Sequence, residues 1–152
     1  MSSLRVLPLG GLGEIGKNMT VVEHDGRIVV VDVGLRFPTP EMVGIDLVLP
    51  DFSYLRERAD AIEGVVLTHG HEDHTGGLAY LLREVRVPLF GSALTLGLAR
   101  SRIEEAGLLD QTTLIQVRDG ERRMIGPFDV EFIPVAHSVP HGFAIAIVSA
   151  PP

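Results

Sequence analysis

The sequence predicts an α/β fold built on a mixed sheet, and three observations carry that prediction. β-Branched runs at 19–23 and 27–31 are separated by Asp25-Gly26, a strong hairpin-turn signal. From residue 64 onward, short apolar runs alternate with helical periodicity, the pattern of strands joined by crossover helices. The 152 residues are 45% hydrophobic, enough for one domain to bury a core. The hairpin start argues against a purely parallel sheet.

The elements follow in order. A strand over 4–9 leads into a loop with glycines at 10, 11, 13 and 16, and the hairpin comes next. Pro38, Pro40 and Pro50 punctuate an irregular connection, and a short helix is expected over 54–61. Residues 64–67 form an apolar strand closed by Thr68, with the polar run 69–74 at its C-terminal tip. Leu78, Leu81 and Leu82 share one face of a helix over 76–84. A strand at 87–90, a helix at 93–106 stopped by Gly107, and a strand at 112–117 continue the alternation. Runs at 123–125 and 130–135 flank a Gly126-Pro127 turn, and 143–148 is the last strand. No repeat, low-complexity stretch or linker divides the chain, so 1–152 is read as one domain.

Composition excludes several classes of function. With 22% charged residues and a formal net charge of -7, the chain is not a basic surface that coats nucleic acid, which would have to be gripped locally. The absence of cysteine removes disulfides, thiolate ligands and a cysteine nucleophile. The first ten residues lack a signal-peptide core, and the apolar run 28–33 is broken by Asp32, far short of a membrane span. The expectation is a soluble, cytoplasmic protein without membrane association.

Gly11, Gly13 and Gly16, with Asp32 some way on, match the spacing of a dinucleotide-binding fingerprint. That motif works only where a helix N-terminus follows the third glycine and supplies amides to the pyrophosphate. Here 17–31 reads strand, turn, strand. The loop is expected to let strands turn and backbones approach closely.

Five of the six histidines fall in two clusters, His69, His71 and His74 in one, His137 and His141 in the other; His24 stands apart. In the run from His69 to His74, side chains 69 and 71 share a direction on an extended loop, and 73 and 74 lie beyond a turn. Imidazole and carboxylate are donors suited to Zn²⁺, and three protein ligands plus water define a catalytic site. His137, after a strand, is the natural third ligand. Glu72 is expected in solvent or behind the ligands, and Thr68 to orient one of them. Asp32, at a strand tip, either receives the second N–H of a liganding imidazole and fixes its tautomer, or merely caps the strand. His141 is assigned a loop role. Ser138 is a weak nucleophile candidate because the sequence places no base near it, so metal-activated water is preferred.

The spacing of His69, His71, Asp73 and His74 resembles the signature of the metallo-β-lactamase fold. More specifically, the glycine loop 9–18, Val31-Asp32-Val33-Gly34, Gly44-Ile45-Asp46, Leu49-Pro50-Asp51 and the run 68–74 resemble the N-terminal part of the ribonuclease J family, from about residue 4 to 148. The resemblance implies an αββα sandwich, of which this is the N-terminal half, and a site for two zinc ions. It implies that His69, His71 and His137 hold one zinc and Asp73 and His74 contribute to the second as catalytic residues, with Asp32 supporting from behind. It also implies cleavage of RNA phosphodiesters, internally and from a 5′ end, with RNA as partner and a homo-oligomeric complete protein. Members of that family continue into a bridging aspartate, an inserted RNA-binding domain and a further histidine. The chain is therefore expected to be truncated before them, with an incomplete site and, for want of a second sheet, one uncovered apolar face. Two alternatives stand beside this: a hydrolase of another ester, thioester or lactone on the same fold, and a non-catalytic fragment that binds metal or associates with other subunits.

Overall fold

A computed structural model describes residues 3–149. Six strands form one sheet in chain order: β1 (Leu4–Gly10), β2 (Met19–His24), β3 (Arg27–Val31), β4 (Ile62–Val66), β5 (Leu89–Gly91) and β6 (Leu114–Gln116). The first three are antiparallel and the rest add in parallel, so the sheet is mixed, as the sequence predicts. The helices are α1 (Ser53–Arg56), α2 (Glu72–Thr75), α3 (Leu78–Leu81) and α4 (Ala93–Glu105). The Ser92 side chain caps α4 by accepting from the Thr95 amide.

Alternation along the strands creates two cores. Val21 pairs with Val30 and Val22 with Val29. The first pair faces Leu78, Leu81, Leu82, Leu96 and Ile103 of the helical layer. The second pair, with Val66 and Phe90, faces a second, antiparallel sheet of β7 (Arg122–Ile125), β8 (Phe128–Val135) and β9 (Gly142–Ser149). Ile125, Phe128, Val130, Phe132 and Phe143 fill that inter-sheet core. The expectation of a missing second sheet is thereby corrected. Residues 122–149 supply one, because Phe128, Val130 and Phe132 recur at every second position and bury one face of β8.

Two expected helices are shorter than their patterns. The segment 54–61 divides into α1 and a 3₁₀ turn at Ala59–Ala61. The helix expected over 76–84 is preceded by α2 and broken at Gly76-Gly77. There the Asp73 carbonyl accepts from the Asn18 amide and the His74 carbonyl from the Val33 amide, at 2.9 and 2.8 Å. Neither is free to continue the i to i−4 ladder, and Gly77 donates to the Val33 carbonyl instead.

Candidate metal centre

The site gathers at the C-terminal tips of β3 and β4 and at the turn between β8 and β9. Phe143 N donates to the Thr68 carbonyl at 2.7 Å, tying the second sheet to the histidine run and bringing the 136–141 loop over it. The result is a cluster of imidazoles. One ring nitrogen from each of His69, His71 and His137 lies within 4.8 Å of the others, the arrangement of a group that could hold a metal ion. His69 Nε2 is 3.0 Å from His71 Nδ1, and the His137 ring centroid is 4.4 Å from that of His69. The His74 ring centroid lies 4.1 Å from that of His69, the two rings tilted by 47°.

Behind the cluster stands Asp32, 4% exposed. Its Oδ1 accepts from the Thr68 amide at 2.8 Å; its Oδ2 accepts from Thr68 Oγ1 and from His74 Nδ1, both at 2.7 Å. A carboxylate only accepts, so His74 carries its proton on Nδ1 and turns Nε2 toward the site. Thr68 Oγ1, having donated to Asp32, accepts from His69 Nδ1 at 2.9 Å and leaves the His69 Nε2 lone pair toward His71 and His137. Burial first, then the positive charge of His74, His137 and His71, hold the His69 pKa down at about 4. Burial also pulls His74 down, but its hydrogen bond to Asp32 and the charges of Asp32 and Asp73 outweigh that, and its pKa is raised.

A neutral, buried imidazole whose lone pair faces two further ring nitrogens suits a borderline cation. With no thiolate in the chain, the donor set fits zinc chemistry.

Asn18, at the end of the glycine loop, is a site residue that sequence reading missed. Its Nδ2 donates to the Asp73 carboxylate at 3.0 Å and lies 3.3 Å from His74 Nε2. Ser138 Oγ lies 3.3 Å from His71 Nε2, so the fold places beside it an imidazole that its sequence neighbours do not. Glu72 forms an ion pair with Arg102 of α4. His141 lies apart from the cluster, in a groove with Ser92, Gln116 and Arg118. Gly11, Gly13 and Gly16 take positive φ of 83°, 71° and 97°, and β2 rather than a helix follows them, so the dinucleotide cradle is not formed.

A mixed sheet backed by helices and faced by a second sheet, with imidazoles and carboxylates collected at its strand tips, defines a scaffold for a metal site. The chain belongs to the metallo-β-lactamase superfamily, whose family profile matches residues 12–149. It is 48% identical over 147 residues to ribonuclease J from Synechocystis sp., covering 95% of this chain and 23% of that one. Against ribonuclease J2 of Bacillus subtilis the identity is 42% over 144 residues, covering 95% and 26%. The resemblance read from the sequence therefore holds, and the chain spans about a quarter of the length of these relatives. Among solved structures, the metallo-β-lactamase fold protein YhfI from Bacillus subtilis superimposes with a TM-score of 0.67 at 17% identity, covering 95% of this chain and 58% of that one. Rm3 metallo-β-lactamase gives 0.62 at 22% identity, covering 95% and 56%. At such identities these two show the fold alone.

Proposed function

We propose that this chain carries the metal-binding core of an RNA phosphodiesterase of the ribonuclease J type. The observation that supports it most is the convergence of His69, His71 and His137 in a chain with this degree of identity to ribonuclease J. In this reading those three histidines hold one zinc, Asp73 and His74 contribute to a second, and RNA is the substrate of a longer, homo-oligomeric protein. Bound there, the cations supply Lewis acidity to an attacking water and to the phosphoryl oxygens. The chain's own residues prepare the site. Asp32 and Thr68 set the tautomers of His74 and His69, Asn18 steadies the Asp73 carboxylate, and burial keeps His69 uncharged at neutral pH.

Metal content after zinc loading tests this, with His69→Ala and His137→Ala as controls, followed by cleavage of single-stranded RNA. Expected are zinc uptake by the chain that is lost in the variants, and metal-dependent RNA hydrolysis by the longer protein that contains it. Hydrolysis of a thioester or lactone with RNA left intact would replace this reading with that of another hydrolase. A chain that takes up no zinc would leave a non-catalytic fragment.

A further inference from the structure

Five of the six phenylalanines are at most 6% exposed, whereas Phe37 is 65% exposed. Its ring borders a groove of about 430 Å³ between the glycine loop and the segment after β3, lined also by Ile15, Leu35, Arg36, Glu72 and Asp73. The groove thus opens onto Asp73, next to the imidazole cluster.

Its walls are held in place. Lys17 N donates to the Leu35 carbonyl at 3.0 Å and Leu35 N to the Glu72 carbonyl at 3.2 Å. Arg36 and Val48 exchange both backbone hydrogen bonds, and the Arg36 guanidinium reaches Glu14 at 2.9 Å. Phe37 is therefore presented by a braced segment, and Arg36 Nε is buried there without a partner among the described residues.

We propose that this groove is a nucleobase subsite, in which a base of the bound RNA strand stacks on Phe37 while its neighbouring phosphate lies at the imidazole cluster. The inference rests on the nuclease reading and extends it to a positioning residue. Charge favours a base over a phosphate. Two carboxylates line the groove, and its cations are already engaged, Arg36 by Glu14 and the neighbouring Lys17 by the same acid at 3.1 Å. An uncharged, flat, partly polar group fits such walls, and stacking on an aromatic ring accepts any base.

The test is equilibrium binding of short phosphorothioate oligoribonucleotides to the zinc-loaded chain, one carrying 2-aminopurine and one abasic at the same position. The intact chain should quench 2-aminopurine fluorescence and bind the base-bearing strand roughly five- to hundredfold more tightly than the abasic one. Phe37→Ala should abolish both the quenching and the preference without changing zinc content, and Phe37→Tyr should restore both. Equal binding of the two strands, or a preference that survives Phe37→Ala, overturns the subsite and leaves the nuclease reading standing. Zinc-loaded chain that binds neither strand overturns the subsite, while metal-dependent RNA cleavage by the longer protein decides the nuclease reading separately. A concentration-dependent dimer in sedimentation that Phe37→Ala disperses would assign the groove to a second copy of the chain and overturn the proposal.

Discussion

Asp32 sits at a φ of 60°, a conformation that few residues other than glycine adopt, and there its two oxygens take three donors. Replacing it with asparagine keeps the shape but turns one acceptor into an amide that faces donors. Asp32→Asn is therefore expected to weaken zinc affinity 10- to 100-fold, about the usual cost of losing a carboxylate behind a metal-bound histidine, as read by chelator competition. Unchanged affinity would make Asp32 a strand cap only. The two perturbed histidines separate in pH. His69, with its pKa held at about 4, binds its proton in the unfolded chain before the folded one, so metal-free stability should fall by up to about 3 kcal/mol as pH drops from 6.5 to 4. His74 has the opposite sign. Its raised pKa gives stability that is complete below 6.5 and lost only as pH climbs through the folded value, so it adds no slope in the lower window. Urea midpoints of wild type and His69→Gln should diverge in that window, and parallel curves would count against it. His69, His71, Asp73 and His74 were legible as candidates because they lie within six consecutive residues. Asn18 was not, since 55 residues separate it from Asp73 and the glycines beside it read as a loop that lets strands turn.

The elements that carry the site are joined by backbone, which decides where sequence patterns stop being informative. Leucines at 78, 81 and 82 announce a helix correctly, and all three are buried. Their period says nothing of carbonyls that another segment has claimed. The Asn18 and Val33 amides take those of Asp73 and His74, and a separate α2, with His74 aimed at the site, stands before the expected helix. Gly34 is the close-approach point of this junction, where a Cβ would overlap the Asp73 carbonyl and stand 2.7 Å from the Asn18 amide. Gly34→Ala must push the strap away from the motif. The expected loss is roughly 2–4 kcal/mol in chemical denaturation together with weaker zinc binding, whereas a neutral substitution would show the junction to be compliant.

At the scale of the whole molecule, the candidate site spans two sheets, since His69, His71 and His74 come from the first and His137 follows β8 of the second. The alternation that buries Phe128, Val130 and Phe132 was readable as a strand, but period two does not say which surface the strand covers. Only pairing with Phe90 and Val66 in three dimensions shows that it closes the sandwich. Metal binding and sheet packing should consequently be coupled. Phe132 is fully buried, so Phe132→Ala is expected to cost about 3–5 kcal/mol, a drop on the order of 10 °C in melting temperature for a chain of this size. His137 is exposed, so His137→Ala should leave the metal-free melting temperature nearly unchanged. Zinc at a hundredfold excess over its dissociation constant should stabilise the wild-type chain by about 2.7 kcal/mol. At that same zinc concentration the shift should shrink in Phe132→Ala, where the second sheet holds His137 loosely, and nearly vanish in His137→Ala. A zinc-induced shift of equal size in all three proteins would place the metal on the first sheet alone and remove the second sheet from the site.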